Sequence, residues 1–376
     1  MLKNQIEIRK KTYFNLSSQI AQLDNAQLRF LFDSELSLGW GRTHIVTIGK
    51  SQVFVKRIPV TNIEYDNQFS TKNLYNLPSY FNYGLGSAGL GVAGLGVFRE
   101  LVAHIKTTNW VLEGAITTFP LMYHYRIIPF SGQRINVDKS RLKGFVEYWG
   151  NSVNVGNYML DRANANHELV LFLEYIPDVI ETWLWQNPSK LQKSLHELYA
   201  TINFLRTKGI IHFDAHFRNI LTDGEQIYLT DFGLALDKGF TLTKHEECFF
   251  KENTFYDYGE ILRNLGHLIR ASYDSSSENH KRKMVEKYGI KAGLKNYQLG
   301  NILLDNIEQI YTDRDINLDE FYVTSIVKYR SIIMLMRNFF IEIWENNQKD
   351  TKFPHGKLQL LLEETGFLSG VESHSE

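Results

Sequence analysis

One stretch of the chain, Leu169-Val-Leu-Phe-Leu-Glu174-Tyr-Ile-Pro177, is apolar without interruption until Glu174 and then breaks at a proline. A run of that length and composition predicts a core strand. Upstream, Thr43 to Ile48 and Gln52 to Lys56 are β-rich runs on either side of Gly49-Lys50, which predicts two strands joined by a turn. Downstream, Ile220-Leu221 and Ile227 to Leu229 flank Asp223-Gly224, a dipeptide that favours a two-residue hairpin. Helical spacing appears in Phe98 to Lys106, where Leu101, Val102 and Ile105 share a side. It is clearer from Leu191 to Thr207, where Leu191, Leu195, Leu198, Ile202 and Leu205 form a stripe closed by Gly209, a C-cap signal. Asp257-Tyr-Gly-Glu-Ile-Leu opens another helix. Residues 1–35 are expected to form a helical extension, 283–366 further amphipathic helices, and 367–376 a polar tail.

Composition narrows the class. At 376 residues the chain can bury a large core, enough for two or three domains or one two-lobed body. A net charge of −1 gives no bulk electrostatic reason to bind nucleic acid or an anionic membrane. Lys281-Arg282-Lys283 is local and reads as a solvated helix face. The single cysteine, Cys248, excludes an intrachain disulfide and suits a reducing compartment. The start, MLKNQIEIRKK, lacks an apolar core of the secretory type, and no apolar run approaches membrane-spanning length. The expectation is a soluble, cytoplasmic protein. Its 20 tyrosines and 24 phenylalanines suit a large core or a partner surface.

Between Gly84 and Gly96 glycine recurs so densely that G-x-G-x-x-G appears twice, at Gly84, Gly86, Gly89 and at Gly89, Gly91, Gly94. Dinucleotide binding needs a buried strand before such a motif and an acid about twenty residues after its first glycine. Leu77-Pro78-Ser-Tyr-Phe-Asn82 precedes it and residues 102–108 hold no acid, so that fold is excluded. Two readings remain: a flexible or closely packed loop leading into the Glu100 helix, or a mobile flap near the phosphates or the acceptor.

The chemistry concentrates in residues 211–235, IHFDAHFRNILTDGEQIYLTDFGLA. Phosphoryl transfer needs a carboxylate to orient the attacking hydroxyl and side-chain oxygens to hold magnesium. Asp214 fits the first role, while Asn219 and Asp231 fit the second. A hairpin between Asn219 and Asp231 would set them side by side on one metal. A zinc site from His212 and His216 lacks a third ligand at metal-site spacing. His212 is read instead as orienting the loop by hydrogen bonding.

Asp214, Asn219 five residues later, and the Asp231-Phe-Gly233 turn follow the catalytic signature of protein kinases. From about Leu36 to Leu268 the chain resembles the protein-kinase-like superfamily. Phe98-Arg-Glu100, the glycine-rich insert and Thr107-Thr-Asn-Trp110 are also similar to a bacterial branch usually described only as "protein kinase". The resemblance implies an α+β, two-lobed protein-kinase-like fold. A mixed β/α N-lobe would span residues 36–173, with the insert at 84–96, and a mainly helical C-lobe residues 174–366. It implies ATP and magnesium as cofactors and a protein or small-molecule acceptor with a hydroxyl. Gly39 and Gly41 would form the turn over the phosphates, Lys56 would contact them, and Glu100 would pair with Lys56, with Glu64 and Glu113 as rivals. Backbone groups from Glu174 to Ile176 would meet adenine, and Asp257 would brace the catalytic loop or simply cap its helix.

Three departures shape the expected acceptor. Phe213 stands where protein kinases carry the arginine that receives an activation-loop phosphate, so switching through Thr241 or Thr243 is not expected. His216 replaces the usual lysine, and His-x-Asp-x-His-x-x-Asn resembles small-molecule phosphotransferases acting on aminoglycosides or choline. No Ala-Pro-Glu lies between Asp231 and Asp257, which shortens the platform for a peptide. The leading expectation is phosphorylation of protein Ser or Thr with Asp214, His216 and Lys56 as catalytic residues. A small-molecule phosphotransferase, a nucleotide-binding scaffold without turnover, and transfer of AMP stay open.

Overall fold

The computed structural model describes residues 2–33, 42–84, 94–130, 138–346 and 348–369. The chain is α+β, with an antiparallel four-stranded sheet and its helices first and a mainly helical region after it. Strands β1 (Arg42–Ile48), β2 (Ser51–Val60), β3 (Met122–Pro129) and β4 (His167–Glu174) lie in the order β1-β2-β4-β3. The β1–β2 hairpin pairs Ile48 with Ser51 across Gly49-Lys50, as the sequence implied. β2 extends four residues past Lys56, and both of its faces are apolar: Val53 and Val55 face the N-terminal helices' side, while Ile58 and Val60 join Val97, Phe98 and Leu101 on the other.

The unbroken apolar character of β4 has a direct cause. It is an inner strand, paired on one edge with β2 and on the other with β3. Both of its faces are covered. Leu169, Leu171 and Leu173 join Val97, Phe98 and Leu101 of the helix Val97–Leu112. Val170 and Phe172 join Leu16, Ile20, Leu28 and Phe32 of the N-terminal helices Leu2–Ala21 and Asn25–Asp33. Each such side chain, fully buried, contributes about 1.5–3 kcal/mol. The N-terminal extension is therefore one layer of the sheet's packing.

The segment between β2 and the helix Val97–Leu112 descends onto the C-terminal region. A capping box of Thr61 and Glu64 starts the short helix Asn62–Asp66. A 3₁₀ turn, Ser79–Tyr83, then buries the Tyr83 ring among Phe213, Phe249, Tyr256 and Phe339. Much of the aromatic content is thus core.

Beyond β4 the chain is largely helical. The helix Leu191–Lys208 ends at Gly209, whose φ of +77 supplies the left-handed C-cap expected of it. Short strands β5 (Asp178–Val179), β6 (Ile210–Ile211), β7 (Ile220–Thr222), β8 (Ile227–Leu229) and β9 (Leu236–Asp237) form two small ladders, β5-β7-β8 and β6-β9. The helices Tyr256–Leu265 and Glu320–Trp344 pack on each other at the centre. Among the described residues no helix is long and apolar enough to cross a membrane. Phe367, expected to begin a polar tail, is fully buried against Tyr199, Tyr258 and Tyr329.

The hairpin at Asp223-Gly224 needs a correction. Thr222 pairs with Ile227, so the connection has four residues, not two. Asp223 is the reason: its Oδ1 accepts from the backbone N–H of both Glu225 and Gln226 at 2.9 Å. That side-chain turn stabilises a longer loop than the Asp-Gly pair alone would favour.

Candidate functional site

The loop from His212 to Asn219 is clamped at its root. Its entry strand β6 pairs Ile210 with Asp237 and Ile211 with Leu236, tying it to the segment that follows Asp231. The Asp257 carboxylate then accepts from the backbone N–H of His212 at 2.7 Å and of Phe213 at 2.9 Å. Phe255 occupies the N-cap of that helix, so Asp257 braces the loop and does not cap. The brace holds Phe213 at φ +64, a left-handed conformation costing a non-glycine residue about 1–2 kcal/mol. The Phe213 ring anchors it, stacked on Phe249 in the aromatic core, where an arginine would leave a buried charge unmatched.

His212 bridges the two functional turns. Its Nε2 lies 3.1 Å from the Thr230 carbonyl, and its Nδ1 accepts from the Asp214 N–H at 3.2 Å. This arrangement calls for the neutral ring protonated on Nε2. Burial enforces neutrality by pushing the His212 pKa down to about 4. The ring orients the loop, as the sequence implied, and has no proton to give near neutrality.

Three segments far apart in sequence converge here. Lys56 Nζ, on β2, donates to Glu100 Oε1 at 2.7 Å and to Asp231 Oδ1 at 2.9 Å. Glu100, on the helix Val97–Leu112, is 1 % exposed, whereas the Asp231 side chain is 41 % exposed. The rivals for Glu100 are accounted for elsewhere. Glu64 caps the Val97 N–H and pairs with Arg162, and Glu113 is the C-cap of the helix. Burial opposes the charge on Lys56, but Asp231 and Glu100 outweigh it and hold the ammonium above its usual range. Burial likewise opposes ionisation of Asp231, and Lys56 overrides it, keeping that carboxyl well below the carboxylate range. Asp231 itself sits at φ +64, its Oδ1 also accepting from Gly233 N–H at 3.3 Å. Such strain costs about 1–3 kcal/mol and persists only where neighbours over-determine it.

Asp214 is held from two sides. Asn219 Nδ2 donates to its carbonyl at 3.0 Å and to its Oδ2 at 2.8 Å, and His216 Nε2 lies 3.4 Å from its Oδ1. Burial pushes the Asp214 carboxyl up to about 6. With its amide nitrogen turned to Asp214, Asn219 keeps Oδ1 free of hydrogen bonds among the described residues. Asp231 keeps Oδ2 free in the same sense. Together they are an amide oxygen and a carboxylate oxygen, the hard donors that magnesium takes when phosphate and water complete its shell. Among the described residues no group of three or more His, Cys, Asp and Glu is placed to hold a metal alone. The two oxygen donors suit magnesium shared with a ligand.

The remaining expected residues fall into three groups. Gly39 and Gly41 lie outside the described residues. Glu174 ends β4 beside β2 and gives its N–H to Leu121 O at 2.7 Å, while Ile176 N–H makes no hydrogen bond among the described residues. The Glu174 carboxylate is taken by Arg9 of the N-terminal helix at 2.7 Å, a latch no local pattern announced. Of the glycine-rich insert, the described ends sit on the site. A Cβ added at Gly84 would lie 3.6 Å from Asp214 Oδ1, and one at Gly94 only 1.8 Å from the Gly233 carbonyl oxygen. Both ends are closely packed, and the flap reading concerns residues outside the described set.

Sequence reasoning also missed two ties between the helix Val97–Leu112 and the segment after Asp231. Arg99 and Glu246 form a buried ion pair at 2.7 Å, and Lys106 pairs with Asp237. The Thr243-x-x-Glu246 capping box was the one visible signal, and it marked a helix start, not a partner. No protein-family model matches the chain, and no curated protein matches it.

Proposed function

We propose that the chain is a two-lobed, protein-kinase-like phosphotransferase that uses ATP and magnesium and transfers the γ-phosphate to a hydroxyl, with protein Ser or Thr as acceptor. The observation that carries this reading is the Lys56 ammonium held at 2.7 and 2.9 Å between Glu100 and Asp231. Two carboxylates around one lysine aim a fixed positive charge at a site beside Asp214, the positioning that phosphoryl transfer requires. The four-stranded sheet preceding a helical region supports the two-lobed reading.

Each residue then has a task. Lys56 offers its charge to the phosphates, and Asn219 Oδ1 and Asp231 hold the metal. Magnesium, when bound, neutralises charge on the phosphate oxygens. Asp214 accepts a hydrogen bond from the acceptor hydroxyl, orients it and takes up its proton. A carboxyl pushed up to about 6 is mostly ionised at pH 7 and more basic than a free aspartate. His216, 3.4 Å from Asp214 Oδ1, helps to position that carboxylate.

A second reading, transfer to a small molecule, is favoured by His216 and by the segment after Asp231. The helix Lys244–Lys251 and the Arg99–Glu246 pair occupy that short segment and leave less of it to hold a peptide. The test is incubation with γ-labelled ATP and magnesium beside Asp214→Ala and Asp231→Ala. Label on protein that vanishes in both variants supports the leading reading. Label entering only a small molecule from extract supports the second. Nucleotide binding with no γ-label on any acceptor overturns both in favour of a scaffold or of AMP transfer.

A further inference from the structure

Next to the loop that carries Asp214 lies a cavity of about 930 Å³ lined by five cations, Arg218, Arg263, Arg270, Lys295 and Arg337, and by three carboxylates, Glu181, Asp274 and Glu345. Most of these cations are matched. Arg218 pairs with Glu181 at 3.0 Å, Arg263 with Glu260 at 2.5 Å, Arg270 with Asp274 at 2.8 Å, and Lys295 with Glu345. Arg337 is the exception: it is 6 % exposed and makes no ion pair among the described residues. Its Nε donates to Asn301 Oδ1 and its Nη2 to Tyr297 O, both at 2.9 Å and both neutral acceptors. Nη1 makes no hydrogen bond among the described residues. Gly300 admits the guanidinium, since a Cβ there would come within 2.8 Å of Nη2.

Burying a cation with no ion-pair partner is costly, and Asp305, a carboxylate acting on Arg337 from a distance, does not offset that cost. Burial, with Arg263 and Arg330 of like charge nearby, lowers the Arg337 pKa to about 10. A bound anion offsets that cost. The wall beside it is aromatic, with Arg263 over the Phe340 ring at 4.3 Å and Phe340 packed on Trp344 at 4.6 Å.

The cavity is also wired to the reaction site. Arg218 directly precedes Asn219. The Phe217 N–H donates to Asn264 Oδ1 at 3.4 Å, and Asn264 Nδ2 donates to Glu260 Oε1, which also takes Arg263. The cavity thus borders, through Arg218, the loop that holds Asp214.

We propose that the cavity binds an anionic group, carboxylate or phosphate, of the acceptor whose hydroxyl is presented to Asp214. The proposal rests on the phosphotransferase reading and narrows it to acidic acceptors. The experiment measures binding first. A fluorescent peptide with serine flanked by glutamates is titrated by anisotropy against wild type, Arg337→Met and Arg337→Lys. A lysine-flanked peptide is the control and inorganic phosphate the competitor. The acidic peptide should bind wild type, with binding at least tenfold weaker in Arg337→Met and partial recovery in Arg337→Lys. Displacement by phosphate identifies a site for the bare anion; no displacement assigns recognition to the peptide carboxylates. If thermal melting shows that Arg337→Met does not fold, Arg218→Glu, 75 % exposed at the rim, replaces it and should weaken binding at least threefold. Equal binding in wild type and the folded cavity variant, or equal binding of both peptides, overturns the proposal. Labelled transfer is read on the same samples. Acidic-peptide binding that depends on Arg337 without transfer keeps the site and removes the phosphotransferase reading; transfer indifferent to the cavity variant does the reverse.

Discussion

Replacing Asp257 by alanine removes the acceptor for two backbone N–H groups, those of His212 and Phe213 at 2.7 and 2.9 Å. Both residues are buried, at 0 % and 2 % exposure. Each buried donor left unpaired costs about 1–3 kcal/mol, so the pair costs about 2–6 kcal/mol. A residue that only capped the helix would cost about 1 kcal/mol. The two roles therefore differ by an amount that urea unfolding resolves. Phe213 adds a second consequence, because its left-handed backbone stores about 1–2 kcal/mol that the lost bonds no longer hold. The loop then relaxes and carries Asp214 out of place. The assay compares urea midpoints and slopes for wild type, Asp257→Ala and Asp257→Asn, with γ-phosphate transfer on the same samples. Asparagine keeps one acceptor oxygen, so it should lose roughly half as much. An alanine variant that loses less than about 1 kcal/mol would refute the brace.

Three further outcomes follow from the geometry. Gly94→Ala forces a Cβ to within 1.8 Å of the Gly233 carbonyl oxygen at φ +41, and should cost about 2–4 kcal/mol of stability in thermal unfolding. Gly114→Ala, at φ +77 with open space, should cost only about 1 kcal/mol, and equal losses would contradict the contact argument. Arg9→Met strips the buried partner from Glu174 and should destabilise by about 3–5 kcal/mol, with hydrogen exchange rising first at Phe119 to Met122; unchanged exchange there would remove the latch. Burial pushes the Asp257 carboxyl up to about 7 from 3.8, so the folded chain binds this proton more tightly than the unfolded one. The stability it contributes is complete below about pH 4 and is lost as pH rises through about 7. Unfolding free energy across that window should fall less steeply with pH in Asp257→Asn than in wild type, and parallel curves would count against it.

The sequence by itself determined what is local. His212, Asp214, Asn219 and Asp231 lie within twenty residues, and their order was readable because one loop and one hairpin hold them. The apolar run of β4 and the stripe of the helix Leu191–Lys208 were legible because burial imposes a pattern on neighbouring residues. Lys56 and Glu100 could be named as partners only through the resemblance, since 44 residues separate them and no short-range pattern links them. β3 and the helices Lys139–Tyr148 and Val153–Ala163 carried signals too weak to place them.

Tertiary structure decided everything that depends on partners far along the chain. Arg9 meets Glu174 across 165 positions, Arg99 meets Glu246 across 147, and Asp257 meets the loop backbone across 44 and 45. A charged residue does not reveal in sequence whether its counter-charge is close in space. Arg337 shows the point most sharply: along the chain it is one arginine in a helix, and only the packing of its neighbours leaves it buried with no ion-pair partner among the described residues. Hydrogen bonds and ion pairs are set by through-space distance, whereas sequence pattern records only which face of an element is buried.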